Sequence, residues 1–252
     1  MRRIRVIPVL LLQDGKLVKT KAFKKPRYVG DPINAIRIFN EKGVDELVVC
    51  DISKSRWSRG PDFGLLEKLA SEAFMPMAYA GGVGSMEHGS RLVALGFEKI
   101  GLNSVLVDRP ELVSELSDRF GSQSVVASVD YKQHWVAGRR QYAQSGTVSL
   151  KGDLIDQVKR WVNLGAGEVW LNAFEREGAY RGYDCSTVAE VSGSVSVPVV
   201  ALGGCGEEEH IREVVRVGAS AVAAGSMFVF QRPHEAVLIS YLKNEIILKE
   251  CQ

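Results

Sequence analysis

The chain has 252 residues, of which 46% are hydrophobic and 25% are charged. Its 32 Lys and Arg nearly balance its 30 Asp and Glu, which leaves a net charge of +2 and argues against a nucleic-acid partner. The mixed composition excludes a disordered or fibrous chain. No apolar run approaches the roughly 18 residues that a membrane-spanning helix needs, so we expect a globular protein without a membrane partner.

Short β-branched apolar runs alternate with amphipathic stretches, which is the pattern of a parallel sheet with crossover helices. Capping residues predict helix starts at Asp31, Ser85, Asp108, Asp184 and Glu207. The predicted strands number eight, which is the number that closes a (βα)8 TIM barrel. They are residues 4–12, 46–51, 76–80, 98–102, 124–130, 168–173, 198–202 and 220–224.

The segment 131–149 is too irregular for a helix, and its polar run from Gly138 to Gly146 predicts a hairpin or a flexible loop over the active site. The cysteines are scattered, with no Cys-x-x-Cys pair and no His at metal-ligand spacing. They favour a reducing, cytoplasmic compartment and argue against a metal centre, and no cofactor is expected. The four cysteines are Cys50, Cys185, Cys205 and Cys251.

An internal repeat is the most informative feature of the sequence. A shift of 122 residues aligns eight residues without a gap, most of them glycines in matching contexts. The repeat predicts one barrel domain over residues 1–252, built from half-barrels at approximately 1–122 and 123–252. A doubly wound open sheet is the alternative. The matching residues are Gly43, Glu46, Pro76, Gly81, Gly82, Gly84, Gly96 and Ser104 with Gly165, Glu168, Pro198, Gly203, Gly204, Gly206, Gly218 and Ser226.

Each half contains a candidate phosphate-binding cup. A strand ends in a Gly-Gly pair before a helix, and the next strand ends in a small or polar residue followed by Ser. Glycines let backbone N–H groups approach an anion, and a helix N-terminus adds partial positive charge. Two cups predict a ligand with a phosphate at each end, although tight turns alone could also explain the glycines. The residues are Gly81, Gly82, Asn103 and Ser104 in the first cup, and Gly203, Gly204, Gly225 and Ser226 in the second.

The loop after the first strand is basic, and it could be a solvated loop or a lid over phosphates. At the strand ends, Asp51 and Asp130 are candidate acids, and Asp130 could act as a general acid or base. Alignment of the first and fifth strands places Leu11 opposite Asp130, which excludes a paired-carboxylate mechanism at those two positions. The basic residues of the loop are Lys16, Lys19, Lys21, Lys24, Lys25 and Arg27.

Four charged residues lie at the beginnings of the first, second, fourth and sixth predicted strands: Arg5, Glu46, Lys99 and Glu168. At one level inside a barrel they would form a salt-bridged ring, because unpaired charges are costly there. A purely structural ion network is the alternative interpretation of these residues.

These features together resemble the cyclase subunit of imidazole glycerol phosphate synthase, a (βα)8 barrel. The segments RVIPVLL, GVDELVVCDI, AGGVGS, EKIGLNS, FGSQSVVASVD, EREGAYRGYD and PVVALGGCG follow the family order along the whole chain. The resemblance implies a bisphosphorylated ribonucleotide at the two cups. It also implies a docked glutaminase subunit in a heterodimer, which delivers ammonia through a gate formed by Arg5, Glu46, Lys99 and Glu168. Lys19, Asp51 and Asp130 match residues of the family's site.

The chain departs from the family at two positions. Leu11 stands where the family has the Asp that shares acid–base chemistry with the counterpart of Asp130, and Glu177 replaces a loop Asp. The combination resembles a paralogue group in which such a barrel supplies ammonia to a separate amidotransferase. That enzyme converts an acetamido sugar of a surface polysaccharide to an acetamidino sugar. A genuine cyclase of histidine biosynthesis is the main alternative, and a phosphoribosyl isomerase is a third.

Overall fold

The computed structural model describes residues 4–134 and 138–242, so Cys251 lies outside the described residues. Eight parallel strands close into a barrel, because the fifth strand pairs with the sixth and the eighth pairs with the first. This confirms the predicted (βα)8 TIM barrel. The strands are β1 (Arg5–Gln13), β2 (Leu47–Asp51), β3 (Met77–Ala80), β4 (Lys99–Leu102), β5 (Val125–His134), β6 (Glu168–Ala173), β7 (Val199–Leu202) and β8 (Ala221–Ala224).

Helices surround the barrel, and several begin with the predicted caps. Asp31, Ser85 and Asp184 each accept a backbone hydrogen bond from the first turn of a helix. The prediction for Asp108 was wrong: Asp108 ends a four-residue helix, and the next helix follows Glu111. The helices are α1 (Pro32–Lys42), α2 (Arg56–Arg59), α3 (Phe63–Glu72), α4 (Met86–Ala94), α5 (Val105–Asp108), α6 (Leu112–Phe120), α7 (Leu154–Asn163), α8 (Cys185–Ser194), α9 (Glu208–Arg216) and α10 (Ser226–Val229). Within the described ranges, none of them is long and apolar enough to cross a membrane.

Two antiparallel extensions rise from the carboxyl ends of the strands, the end called the mouth below. β1 continues into the first hairpin, which consists of Lys16–Lys21 and Lys24–Gly30. β5 continues into the second hairpin, where Gly138–Ala143 pairs with β5 and with Val148–Ser149. The first basic loop is therefore a β-ribbon, and the predicted irregular segment contains the second hairpin. Near the C-terminus, Phe230–Gln231 pairs with Ala236–Val237.

The apolar core has two layers because side chains alternate along each strand. One face of each strand packs against the helices. The other face points to the barrel axis and forms the inner cluster, whose members are Ile7, Val9, Val48, Ala78, Ala80, Val126, Trp170, Val200, Ala221 and Ala223. The same alternation places charged residues at the amino ends of the strands, called the floor, and polar residues at the mouth.

Candidate functional site

The floor of the barrel holds a closed ring of four charged side chains. Lys99 Nζ lies 3.0 Å from Glu46 and 3.1 Å from Glu168. The Arg5 guanidinium donates to the same two carboxylates. Both glutamate side chains are only 5% exposed. We call these four residues the charged ring, and their pairing explains how two buried carboxylates are tolerated there.

The ring shifts the ionisation of its members. Burial would raise the pKa of Glu168, but the charges of Lys99 and Arg5 outweigh burial and hold that pKa below its usual value. Burial also opposes the charge on Arg5, and the two carboxylates raise its pKa nonetheless. Both shifts therefore favour the charged forms of Glu168 and Arg5.

At the mouth, Asp130 is held by two amide groups. Asn172 Nδ2 donates to one carboxylate oxygen at 2.8 Å, and Asn103 Nδ2 donates to the other at 3.2 Å. Asn103 is itself fixed by a 2.9 Å bond to the Ser128 carbonyl. The sequence had singled out Asp130 and Asn103 but not Asn172. The alternation Glu168, Trp170, Asn172 along β6 is the signal that points Asn172 to the axis.

Asp130 is positioned for proton transfer near neutral pH. Burial raises its pKa to about 7, although the bonds from Asn172 and Asn103 oppose the rise. A carboxyl group with such a pKa can both give and accept a proton at physiological pH. Asp130 thus keeps the property that a general acid or base needs.

We expect the raised pKa of Asp130 to make stability fall as the pH rises. From about pH 4 to pH 7 the unfolded chain loses this proton while the folded chain keeps it. At roughly 1.4 kcal/mol per pKa unit, the free energy of unfolding should fall by up to about 4 kcal/mol relative to Asp130→Asn. Urea denaturation of both proteins between pH 4 and 8 measures the difference. Asp14→Asn, in the exposed turn between β1 and the first hairpin, is the control that should parallel the native curve, and a parallel curve for Asp130→Asn would contradict the assignment.

Leu11 lies at the mouth beside Cys50, its register partner on β2. Both side chains are half-buried and pack on the inner cluster together with Leu202. Burial raises the pKa of the Cys50 thiol to about 12, so this thiol is neutral. Leu11 and Cys50 therefore contribute no charge to the mouth, and the hydrogen bonds to Asp130 come from amides.

Lys19, predicted to lie in a basic loop that is either solvated or a lid over phosphates, is buried. Its ammonium donates to the Val9 carbonyl and lies against Gly225, where an added Cβ would be 2.1 Å away. Burial lowers the pKa of Lys19 to about 8, while the charge of Glu177 opposes that shift. Glu177 accepts a 3.0 Å hydrogen bond from Thr20, and burial raises its pKa. Lys19 and Glu177 are therefore neighbours in the mouth, close enough for their charges to interact. The sequence predicted each of them as a site residue but did not predict that they are neighbours.

The mouth is roofed by contacts that the sequence analysis did not identify. Phe23, near the tip of the first hairpin, stacks on Phe174 with ring centroids 5.0 Å apart. Tyr142 of the second hairpin meets Phe174 edge-on at 5.3 Å. The Ala22 amide donates to the Glu177 carbonyl at 3.0 Å. The two hairpins and the loop after β6 therefore close over one space.

The Gly-Gly pairs have a clear packing role. Gly81, Gly82, Gly203 and Gly204 all have positive φ, a conformation that other residues rarely adopt. An added Cβ at any of the four would lie 2.1–2.6 Å from a backbone oxygen of the preceding strand's last residue or of the segment that follows that strand. Tight packing therefore suffices to explain these glycines, and the turns place them just before α4 and α9.

The remaining cup residues differ in their surroundings. Ser104 Oγ accepts a 3.1 Å bond from the Gln144 amide of the second hairpin. In the second cup, Ser226 is buried and hydrogen-bonds Tyr180, whose pKa burial raises. Arg232 lies over the Tyr180 ring, 5.0 Å from its centroid. Tyr180 and Arg232 are thus additional neighbours of the second cup.

Asp51 lies apart from Asp130. Its carboxylate accepts from the Ser53 amide at 2.9 Å and pairs with Arg56 at 3.1 Å. Cys50 faces the axis, so Asp51 faces outward and organises the loop between β2 and α2. Across the described part of the chain, no three His, Cys, Asp or Glu side chains gather in a group that could hold a metal ion.

Comparison with known proteins identifies relatives along nearly the whole chain. The family model described as "Histidine biosynthesis protein" matches residues 5–233. Several relatives are described as "putative imidazole glycerol phosphate synthase subunit", and two of them are named hisF2 and hisF3. The first, from Pseudomonas aeruginosa, is 45% identical, with 96% of each chain covered. The second, from Vibrio vulnificus, is 42% identical over 96% of this chain and 94% of its own. The imidazole glycerol phosphate synthase subunit HisF of Corynebacterium glutamicum is 37% identical over 96% of this chain and 95% of its own.

Proposed function

We propose that this chain, which belongs to the histidine biosynthesis protein family, receives ammonia from a glutaminase partner and conducts it through the barrel. The ammonia would then serve a separate amidotransferase that acts on a surface-polysaccharide sugar. One observation carries the proposal: the charged ring at the floor is complete, whereas the mouth has Leu11 where cyclase chemistry requires a second acid. An ammonia-conducting barrel needs the ring but not the acid pair.

Two further observations support the proposal. Identity is 40–45% with the four relatives whose description begins with "putative", two of them numbered hisF2 and hisF3, and 37% with the HisF subunits described without that word. In addition, Phe74 is 88% exposed in the connection from α3 to β3, at the same end of the barrel as the ring. Aromatic side chains are enriched in protein–protein interfaces relative to the rest of the surface.

The phosphate cups are part of the proposal. We infer that both bind phosphoryl groups of one ligand, with Gly81, Gly82, Asn103 and Ser104 at one end and Gly203, Gly204, Gly225 and Ser226 at the other. Lys19 supports this inference, because its buried ammonium lies against Gly225 and would attract an anion to the second cup. Asp51 would act indirectly, by shaping the loop against which Gly81 packs.

A genuine cyclase subunit is the second candidate, and Asp130 favours it. The two amide bonds and the pKa of about 7 are what a working acid or base would show. Growth of a histidine auxotroph on this gene separates the candidates. Complementation would overturn the proposed role, and failure to complement by a well-expressed chain would support it.

We expect a glutaminase to bind the floor of the barrel and to depend on Phe74. Phe74→Asp should weaken the association at least tenfold, because it places a charge in an apolar contact. Tyr28→Asp is the matched control, since Tyr28 is 62% exposed but lies on the first hairpin at the mouth. Affinity purification from the native organism, followed by sedimentation with the captured glutaminase, measures both. The proposal fails if no glutaminase is captured, or if Tyr28→Asp weakens binding while Phe74→Asp does not.

A further inference from the structure

The barrel axis is filled in an uneven way. Within the described residues, the inner cluster consists of Ala, Val and Ile side chains with a single aromatic one, Trp170 of β6. Trp170 is 3% exposed. It lies one inward position above Glu168 of the charged ring and one below Asn172 of the mouth. One indole therefore occupies the level between floor and mouth.

Gly101 of β4 makes room for that indole. A Cβ on Gly101 would lie 2.9 Å from Cζ3 of Trp170 and 2.8 Å from Cβ of Ala80. Gly101 and Trp170 belong to strands that are separated by β5, so the indole of Trp170 extends across the barrel interior. Other small residues of the inner cluster, among them Ala78 and Ala221, add to the packing along the axis. The Trp170 indole could leave the axis by rotating about its own side-chain bonds. Several interlocking side chains would instead have to move together.

Trp170 is also tied to the charged ring. Its indole N–H donates to Glu168 Oε1 at 2.9 Å. The same carboxylate accepts from Lys99 at 3.1 Å and from Arg5. Any rearrangement that moves Glu168 away from Lys99 also removes the hydrogen-bond acceptor of the indole. The ring and Trp170 therefore share one contact and are mechanically coupled.

We infer that the Trp170 indole blocks the barrel axis above the charged ring, and we call it the inner door. Its hydrogen bond to Glu168, called the latch, holds it in the closed position. The statement that ammonia moves past Trp170 rests on the proposed function, in which the docked glutaminase rearranges the charged ring. The closure itself does not rest on it. The door explains how a barrel could conduct ammonia only while its partner is bound and stay closed to water otherwise.

Closure is tested on the isolated chain with xenon, which occupies dry apolar cavities. Crystals of the native protein under xenon pressure should show no xenon inside the barrel, whereas Trp170→Leu should bind it at the position of the indole. Trp161→Leu is the control, because Trp161 is fully buried outside the barrel, on α7. Trp170→Met serves as a second variant should the leucine variant not fold. Xenon within the native barrel, or none in the barrel of either Trp170 variant while the control binds it, would overturn the door.

The latch is tested by hydrogen exchange of the indole N–H groups, followed by NMR on ¹⁵N-labelled protein. Trp161, whose N–H donates to Gln141 at 3.0 Å, is the internal reference. Docking of the captured glutaminase should speed exchange at Trp170 at least tenfold and leave Trp161 unchanged. Unchanged exchange at Trp170 in a complex verified by sedimentation would overturn the latch. If no complex forms, the proposed function fails, while the xenon result still decides whether Trp170 closes the axis.

Discussion

Turnover of the family's ribonucleotide substrate with excess ammonium salt is expected to be at least 100-fold slower in this chain than in a cyclase that carries Asp at the position of Leu11. The loss of one positioned acid or base typically costs about 10²–10⁴ in rate. Leu11 also makes the mouth apolar beside Cys50, where a proton would have to move. Leu11→Asp should recover at least tenfold of the rate, because Asp130 and its two amides are already in place.

The control for that experiment is Leu11→Asn, because asparagine has nearly the shape of aspartate but cannot act as an acid or a base. It should stay as slow as the native chain. Both variants should fold, since Leu11 is half-buried at the mouth, and a melting temperature lowered by tens of degrees would show that it is core instead. Native activity within tenfold of an Asp-bearing cyclase would mean that Asp130 suffices and that the proposed role is wrong.

Replacement of Lys99 by methionine is expected to lower the free energy of unfolding by about 3 kcal/mol at pH 7. The ammonium contacts Glu46 and Glu168 at 3.0–3.1 Å, and only Arg5 would remain to balance the two buried carboxylates. Methionine fills a similar volume, so the loss reports charge rather than packing. Urea denaturation monitored by circular dichroism measures it.

Arg37→Gln is the matched control, because it breaks an exposed pair in which Arg37 lies 2.6 Å from Glu72. Exposed pairs contribute at most about 1 kcal/mol. The pKa of Glu168 is held below its usual value, so its contribution to stability is present above the unfolded pKa and is lost as the pH falls through the folded pKa. The native and Lys99→Met stabilities should therefore converge in acid, once the pH has fallen through the folded pKa of Glu168. An equal, small effect for Lys99→Met and Arg37→Gln would contradict the role of the ring.

The sequence predicts the barrel well because each strand is a short apolar run between turn residues. Every predicted strand begins within one residue of the observed one, and β5 alone runs several residues further, to His134. That extension has a physical reason. Residues 131–134 leave the barrel and pair antiparallel with the second hairpin, where apolar periodicity no longer distinguishes a strand from a polar loop.

Predictions for the site depended on whether a position is governed by local or distant contacts. The charged ring follows from the strand period alone, since its members begin strands on the same face. The burial of Lys19 depends on how the first hairpin folds over Val9 and Gly225, contacts that no local pattern encodes. Asp108 was placed wrongly because a single turn of helix, α5, precedes Pro110. Trp170 escaped attention because an aromatic residue in an apolar strand is ordinarily core.

The roof over the mouth ties the two halves of the repeat together crosswise. The hairpin of the first half lies on the second-half loop, through Ala22 and Glu177, and the hairpin of the second half reaches Ser104 of the first half. Each half thus carries the cover for a candidate phosphate cup that belongs to the other. A half-barrel inserted into another protein would therefore keep its own glycine turn but lose the hairpin that covers it. Under the proposed function, substitutions in one half of the gene would change which ligand binds in the cup of the other half.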